Sequence, residues 1–205
     1  MAMLVADPRM EDRLKAERKA SGADRYDEVW EGVYMMTPMP NNEHQEMVLG
    51  LALALQEIIK GADLGRVFPG VNLSDRRGDD WDHNYRVPDI AVFLRGGRAE
   101  DCGTHWCGAA DFLVEITSPG DRTREKLPFY SRLGVLELLV VDRESWTLEL
   151  YRWKDGQLQS VGKSTGDAAE VLGSETIPLK FRLVAGAPRP QIEVTHSQSD
   201  RRWLI

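Results

Sequence analysis

Residues 112–122 run Phe-Leu-Val-Glu-Ile-Thr-Ser-Pro-Gly-Asp-Arg, and the fold turns on how they are read. Phe112–Ile116 is an apolar strand interrupted once, by Glu115, and Ser118-Pro119-Gly120-Asp121 is a turn. An ionised carboxylate inside an apolar strand is costly unless a partner or a metal compensates it. The stretch Val87-Pro88-Asp89-Ile90-Ala91-Val92-Phe93-Leu94 repeats the pattern, with Asp89 in an otherwise apolar strand and proline near its start, where a missing N–H is tolerated. Two such carboxylates on neighbouring strands repel each other unless a cation lies between them. Mg²⁺ or Mn²⁺ suits oxygen ligands of this kind. Such a centre can activate water and stabilise the charge that develops on a phosphoryl group.

Working outward, residues 124–133 form a short helix with Gly134 as its stop, and Leu136–Val141 is a strand apolar enough to be buried on both faces. Trp146–Trp153 and Gln157–Val161 alternate as a hairpin around Asp155-Gly156, and Ile177–Leu183 is the last strand before a basic tail from Pro188. Upstream, residues 42–61 carry Met47, Val48, Leu51, Leu55, Ile58 and Ile59 on one helical face, with Asn42 and Gln45 as a capping box and His44 in the first buried turn. Val67–Leu73 is a short strand. Residues 26–36 mix aromatic and β-branched side chains around Glu31-Gly32 as a strand or hairpin; the Trp and Met residues of the whole Tyr26–His44 entry segment are expected in the core, not on a base-stacking platform. The expected organisation is a polar helix or arm over 1–24, one domain over 25–185 and a tail over 186–205. The fold class is α/β (α+β), a central mixed sheet flanked by helices with extra antiparallel hairpins.

Pro88-Asp89 followed by Glu115-Ile116-Thr117 resembles the PD-(D/E)XK nuclease core. The wider strings Val87–Val92, Phe112–Arg122, Lys126–Val135 and Glu137–Asp142 are similar to the Uma-two family of restriction endonucleases, over about residues 25–185. The resemblance implies a restriction-endonuclease-like core, with Asp89, Glu115 and the backbone carbonyl of Ile116 as ligands of Mg²⁺ or Mn²⁺, and DNA as the substrate. It also implies a lysine at position 117, where this chain has Thr117; Lys126, at the start of the next helix, fits the place to which that lysine migrates in similar nucleases. His44 joins Asp89, Glu115 and Lys126 as a candidate catalytic residue, and Glu31 is a secondary one.

Composition restricts the alternatives. With 42% hydrophobic residues in 205, a core can form, and no apolar run approaches the ~20 residues of a membrane span. Two cysteines make no disulfide framework, and the cytoplasm is the expected compartment. Cys102-Gly-Thr-His105-Trp-Cys107 has too few ligands for a structural zinc site, and Asp79-Asp80-Trp81-Asp82-His83 lacks the glycine and terminal glutamate of a calcium loop. The net charge of −7 argues against tight nonspecific DNA binding, yet residues 133–175 alone hold eight acids against four bases, away from the candidate centre. Three functions fit: a metal-dependent endonuclease acting on DNA, which as a cutter of duplexes calls for a homodimer; a nuclease-like scaffold that binds without cutting; and a hydrolase of small phosphodiesters.

Overall fold

The computed structural model describes residues 8–118 and 120–205. Residues 1–7 of the expected arm and Pro119 of the expected turn lie outside them. In chain order the elements are α1 (Pro8–Ser21), β1 (Glu28–Trp30), β2 (Val33–Met35) and α2 (Asn42–Ile59). Then come β3 (Gly65–Pro69), β4 (Leu73–Ser74), β5 (Tyr85–Arg86), β6 (Ile90–Leu94), β7 (Glu100–Asp101), β8 (Trp106–Cys107) and β9 (Phe112–Thr117). A 3₁₀ turn, Thr123–Lys126, runs into α3 (Leu127–Leu133), followed by β10 (Glu137–Asp142), β11 (Thr147–Lys154) and β12 (Gln157–Thr165). The chain closes with β13 (Leu172–Gly173), β14 (Leu179–Val184), β15 (Gln191–His196) and β16 (Arg202–Leu204).

The central sheet has the order β12-β11-β10-β9-β6-β3, and only its β9–β10 pair is parallel. That crossover is made by α3, as a parallel pair requires. The period-two pleat sends alternate residues to opposite faces. Ile90, Val92, Phe112, Val114, Ile116, Leu139 and Val141 pack with Met47, Leu51, Leu55 and Ile59 of α2. Ala91, Phe93, Leu113, Leu138 and Val140 pack with Phe129 and Tyr130 of α3. Glu115 therefore belongs to the α3 face and Ile116 to the α2 face. Two further sheets, β2-β1-β5-β4-β8-β7 and β13-β14-β15-β16, supply the extra antiparallel pairs.

Two local expectations change. The α2 N-cap is Asn41, not Asn42: its side chain accepts the His44 N–H at 3.0 Å. The segment from Pro188 is no free tail, since β15 pairs with β14 and β16 along its length. Its apolar residues Ile192 and Val194 alternate with polar ones, so one edge of the strand enters the α2-side core while the basic and proline residues on either side give the segment a tail-like composition. Trp203 caps the arrangement by donating its indole N–H to Glu57 of α2 at 3.1 Å. Ile192→Val is accordingly expected to cost about 1 kcal/mol in urea unfolding, whereas a substitution in an unstructured tail would leave the midpoint unmoved. The N-terminal helix is also tied down: Arg18 donates to the buried Asp27 and to the Thr37 carbonyl. Among the described residues no helix is long and apolar enough to cross a membrane.

Candidate active site

Glu115, Lys126, Tyr130 and Glu28 converge from four elements. Glu115 projects from the α3 face of β9 and is almost wholly buried. Lys126 ends the 3₁₀ turn, and Pro128 sits in the first turn of α3, where its missing N–H breaks no helical bond. That placement aims Lys126 inward: its Nζ lies 3.1 and 3.2 Å from the two Glu115 oxygens. Tyr130, four residues on and so on the same helical face, donates its hydroxyl to Glu115 Oε1. The lysine also meets Glu28 of β1, at 2.8 Å from Oε1.

Asp89, just before β6, is held from two sides. Its Oδ2 accepts the Ile116 N–H at 2.7 Å, and its Oδ1 lies 3.2 Å from His44 Nε2. His44 reaches it because the Asn41 cap fixes the first turn of α2 over the sheet, and the other ring nitrogen, Nδ1, is buried without a partner among the described residues. The Ile116 main chain faces the same way. The β6–β9 ladder ends at the Ile90–Val114 pair, short of Pro88, which as a proline has no N–H with which to extend it toward Ile116. The amide is engaged by Asp89, and the carbonyl is left out of the ladder on that side.

Asp89, Glu115, Lys126, His44 and Ile116 all line one cleft of about 290 Å³. Glu31, by contrast, stands in the left-handed turn of the β1–β2 hairpin and pairs with Arg132 at 2.8 Å, outside that cleft. Thr117, at the motif's lysine position, contributes its carbonyl to Arg143. His105 of the cysteine loop is committed elsewhere, stacked on Trp81 with Nε2 2.9 Å from the Arg76 carbonyl, and both thiols are free. In the acidic loop Asp80 pairs with Arg76 and Asp75 accepts from Asn84.

Two contributors escape a reading of sequence. Glu28 is buried and accepts from the Val87 N–H at 2.8 Å and the Trp30 indole at 2.6 Å, besides meeting Lys126. Its signal was an acid in an aromatic, β-branched stretch, the same anomaly that marked Glu115. Arg143, in the β10–β11 turn, joins the Thr117 carbonyl and Ser118 hydroxyl to Asn41 and Glu43 at the head of α2. It fixes the distance between the β9 end and His44. Arg143→Met is expected to lower unfolding free energy by about 2–3 kcal/mol, the scale of lost charged hydrogen bonds, as read by urea denaturation.

Burial pushes the Glu115 carboxyl well above the usual glutamate range, Asp89 and Glu28 push it further, and Lys126 and Tyr130 pull it back. For Lys126, burial disfavours the charge, but the Glu115 and Glu28 carboxylates outweigh it and hold the ammonium protonated. The Tyr130 hydroxyl is raised far up by burial and by Glu115, and it remains a neutral donor. The Lys126 ammonium thus lies among three carboxyl groups, those of Glu115, Glu28 and Asp89. Among the described residues no three His, Cys, Asp or Glu side chains form a ready metal cage. The available set is two carboxylates and a main-chain carbonyl, an all-oxygen set suited to a hard ion that keeps several waters.

A family model described as "Uma2: Putative restriction endonuclease" matches residues 12–186. The chain belongs to the Uma2 family. The matched stretch of this Uma2 chain contains every side chain of the cleft described above and stops before β15. In three dimensions it is similar to a solved structure from Anabaena variabilis, titled as a "putative nuclease belonging to DUF820". The TM-score is 0.56 and the identity 22%, covering 72% of this chain and 80% of that one. This likeness shows that the Uma2 chain has a nuclease-like fold, in keeping with the restriction-endonuclease-like core. No curated protein matches the chain.

Proposed function

We propose that the cleft hydrolyses phosphodiester bonds in nucleic acid, DNA in the first instance, with Mg²⁺ or Mn²⁺ as cofactor. What carries this reading is the meeting of Asp89, Glu115 and Lys126 in one cleft beside a main-chain carbonyl that the sheet leaves unengaged. Asp89, Glu115 and the Ile116 carbonyl would hold the ion. When bound, it supplies a Lewis acid for the phosphoryl oxygens and a more acidic water. The chain's own groups do the rest. Lys126 offers a fixed positive charge where a phosphoryl centre gains negative charge. His44 and the Ile116 amide keep Asp89 in one orientation, and Tyr130 does the same for Glu115.

Cleavage of plasmid and oligonucleotide substrates with and without Mn²⁺ tests the activity, and calorimetric Mn²⁺ titration tests the site. A second reading, a nuclease-like scaffold that binds without cutting, is favoured by one observation: Lys126 already neutralises Glu115. Absence of Mn²⁺ uptake would select it. Turnover of small model phosphodiesters with no nucleic-acid binding at low salt would select a small-molecule hydrolase instead.

A further inference from the structure

Resting on the phosphodiesterase reading, we propose that the cleft takes an unpaired strand of nucleic acid, one base seated on the apolar wall built by Tyr26, Met39 and Pro40 while its phosphate reaches the carboxylates. The reacting groups lie deep: side-chain exposure is 3% for Glu115, 12% for Lys126 and 16% for Asp89. The same cleft is also lined by Tyr26, Trp30, Met35, Pro38, Met39 and Pro40. Some of that wall has structural duties. Met35 is core, and Trp30 is held by its indole bond to Glu28 with Arg86 and Arg122 over its faces. Met39 has none of this. It is 62% exposed at the rim, so the expectation that the Met residues of this region are core ends at Met36.

Thr37-Pro38-Met39-Pro40 is stiffened by two prolines, which reduce the backbone ordering cost of presenting Met39. Tyr26 is half-buried and makes no hydrogen bond among the described residues; its ring lies beside Gly70, whose N–H is bonded to the Asp89 carbonyl at 3.1 Å. Tyr26 and Asp89 line the same cleft, and the Arg25 guanidinium lies 5.7 Å from the ring centroid. A thioether, a tyrosine ring and a proline face beside a cation-seeking carboxylate pair suit a group with a flat apolar face attached to an anion, which describes a nucleotide. In a duplex those flat faces are covered by neighbouring bases, and sugars and phosphates point outward, so the wall would have nothing to hold. An unpaired strand offers both parts at once, and stacking of this kind tolerates any base. It also needs one cleft, where cutting both strands of a duplex calls for two.

Fluorescence anisotropy of the full chain with labelled single-stranded DNA, single-stranded RNA of the same sequence and blunt duplex DNA, in Ca²⁺, reads the preference without relying on cleavage. At least one single strand is expected to bind about tenfold more tightly than duplex, and the two strand arms tell DNA from RNA. Tyr26→Ala and Met39→Ala should each lose about tenfold of that affinity, and Tyr26→Phe should lose none, because the hydroxyl is unused. Met39→Ala changes an exposed residue, so folding is not at issue. Duplex bound as tightly as either strand, no strand binding, or alanine variants that bind like the wild type would each overturn the proposal. Cleavage with Mn²⁺ is scored separately. A strand preference without cleavage counts against the phosphodiesterase reading alone, and equal cleavage of strand and duplex counts against the strand preference alone.

Discussion

Lys126→Met is expected to lower the unfolding free energy by about 3–5 kcal/mol, the range for removing one partner from a buried ion pair. Methionine keeps the unbranched stem, so the loss is electrostatic and not a cavity effect. Glu115 and Glu28 would remain buried with Tyr130, the Trp30 indole and the Val87 amide as their donors and no cation between them. The deficit should depend on pH in a definite direction. Burial already raises Glu115 above its ordinary value, and Lys126 is the principal group pulling it down, so the substitution raises it further. A carboxyl raised in the folded state favours folding below its unfolded pKa, and that contribution is lost as pH rises through the folded value. The variant should therefore regain stability on acidification from neutral toward the ordinary glutamate range. Urea unfolding at about pH 5 and about pH 8 checks this; equal deficits at both would refute the buried-carboxylate account.

Asp89→Ala and Glu115→Gln are each expected to reduce Mn²⁺-dependent cleavage by about 10²–10³-fold, the effect of removing one preorganised electrostatic group from a reacting centre. Calorimetry should show weakened or absent Mn²⁺ uptake in both. Glu115→Gln keeps the shape of the side chain and an oxygen for the Tyr130 hydroxyl, so loss of activity there reports charge and not collapse. Asp89→Ala leaves the Ile116 amide without its acceptor and His44 without its neighbour. A modest fall in melting temperature accompanies it, and activity should be measured well below that transition. Cleavage that survives both substitutions would sink the assignment of this cleft.

Much of this was legible because a charge in an apolar strand breaks a period-two pattern visibly. Asp89 and Glu115 announced themselves that way, and the β9–α3–β10 unit followed from two apolar strands flanking a short helix stopped at Gly134, although that helix starts at Leu127 and not at 124. Glu28 broke a pattern too, but its stretch mixes aromatic, acidic and β-branched residues so evenly that one more acid stood out little. Arg143 was invisible for another reason. A turn arginine is ordinary in sequence, and its meaning lies in four acceptors drawn from segments as far as 102 positions away. The C-terminal strands were misread because prolines and arginines stand at both ends of a mostly polar segment, although Ile192 and Val194 carried the alternation.

Pro88 imposes a constraint of a different kind from the acids. Its side chain performs no chemistry, and what position 88 contributes is a withheld donor. Any of the other amino acids there would bring a main-chain N–H to the end of the β6–β9 ladder, a donor with which the two strands could be knit further and the Ile116 carbonyl drawn in. A survey that ranks positions by side-chain reactivity, or by stability gained on substitution, would score proline 88 as dispensable or even improvable. On the proposed reading, the oxygen offered to an ion depends in part on where the backbone ladder stops, and extending the ladder there would withdraw it.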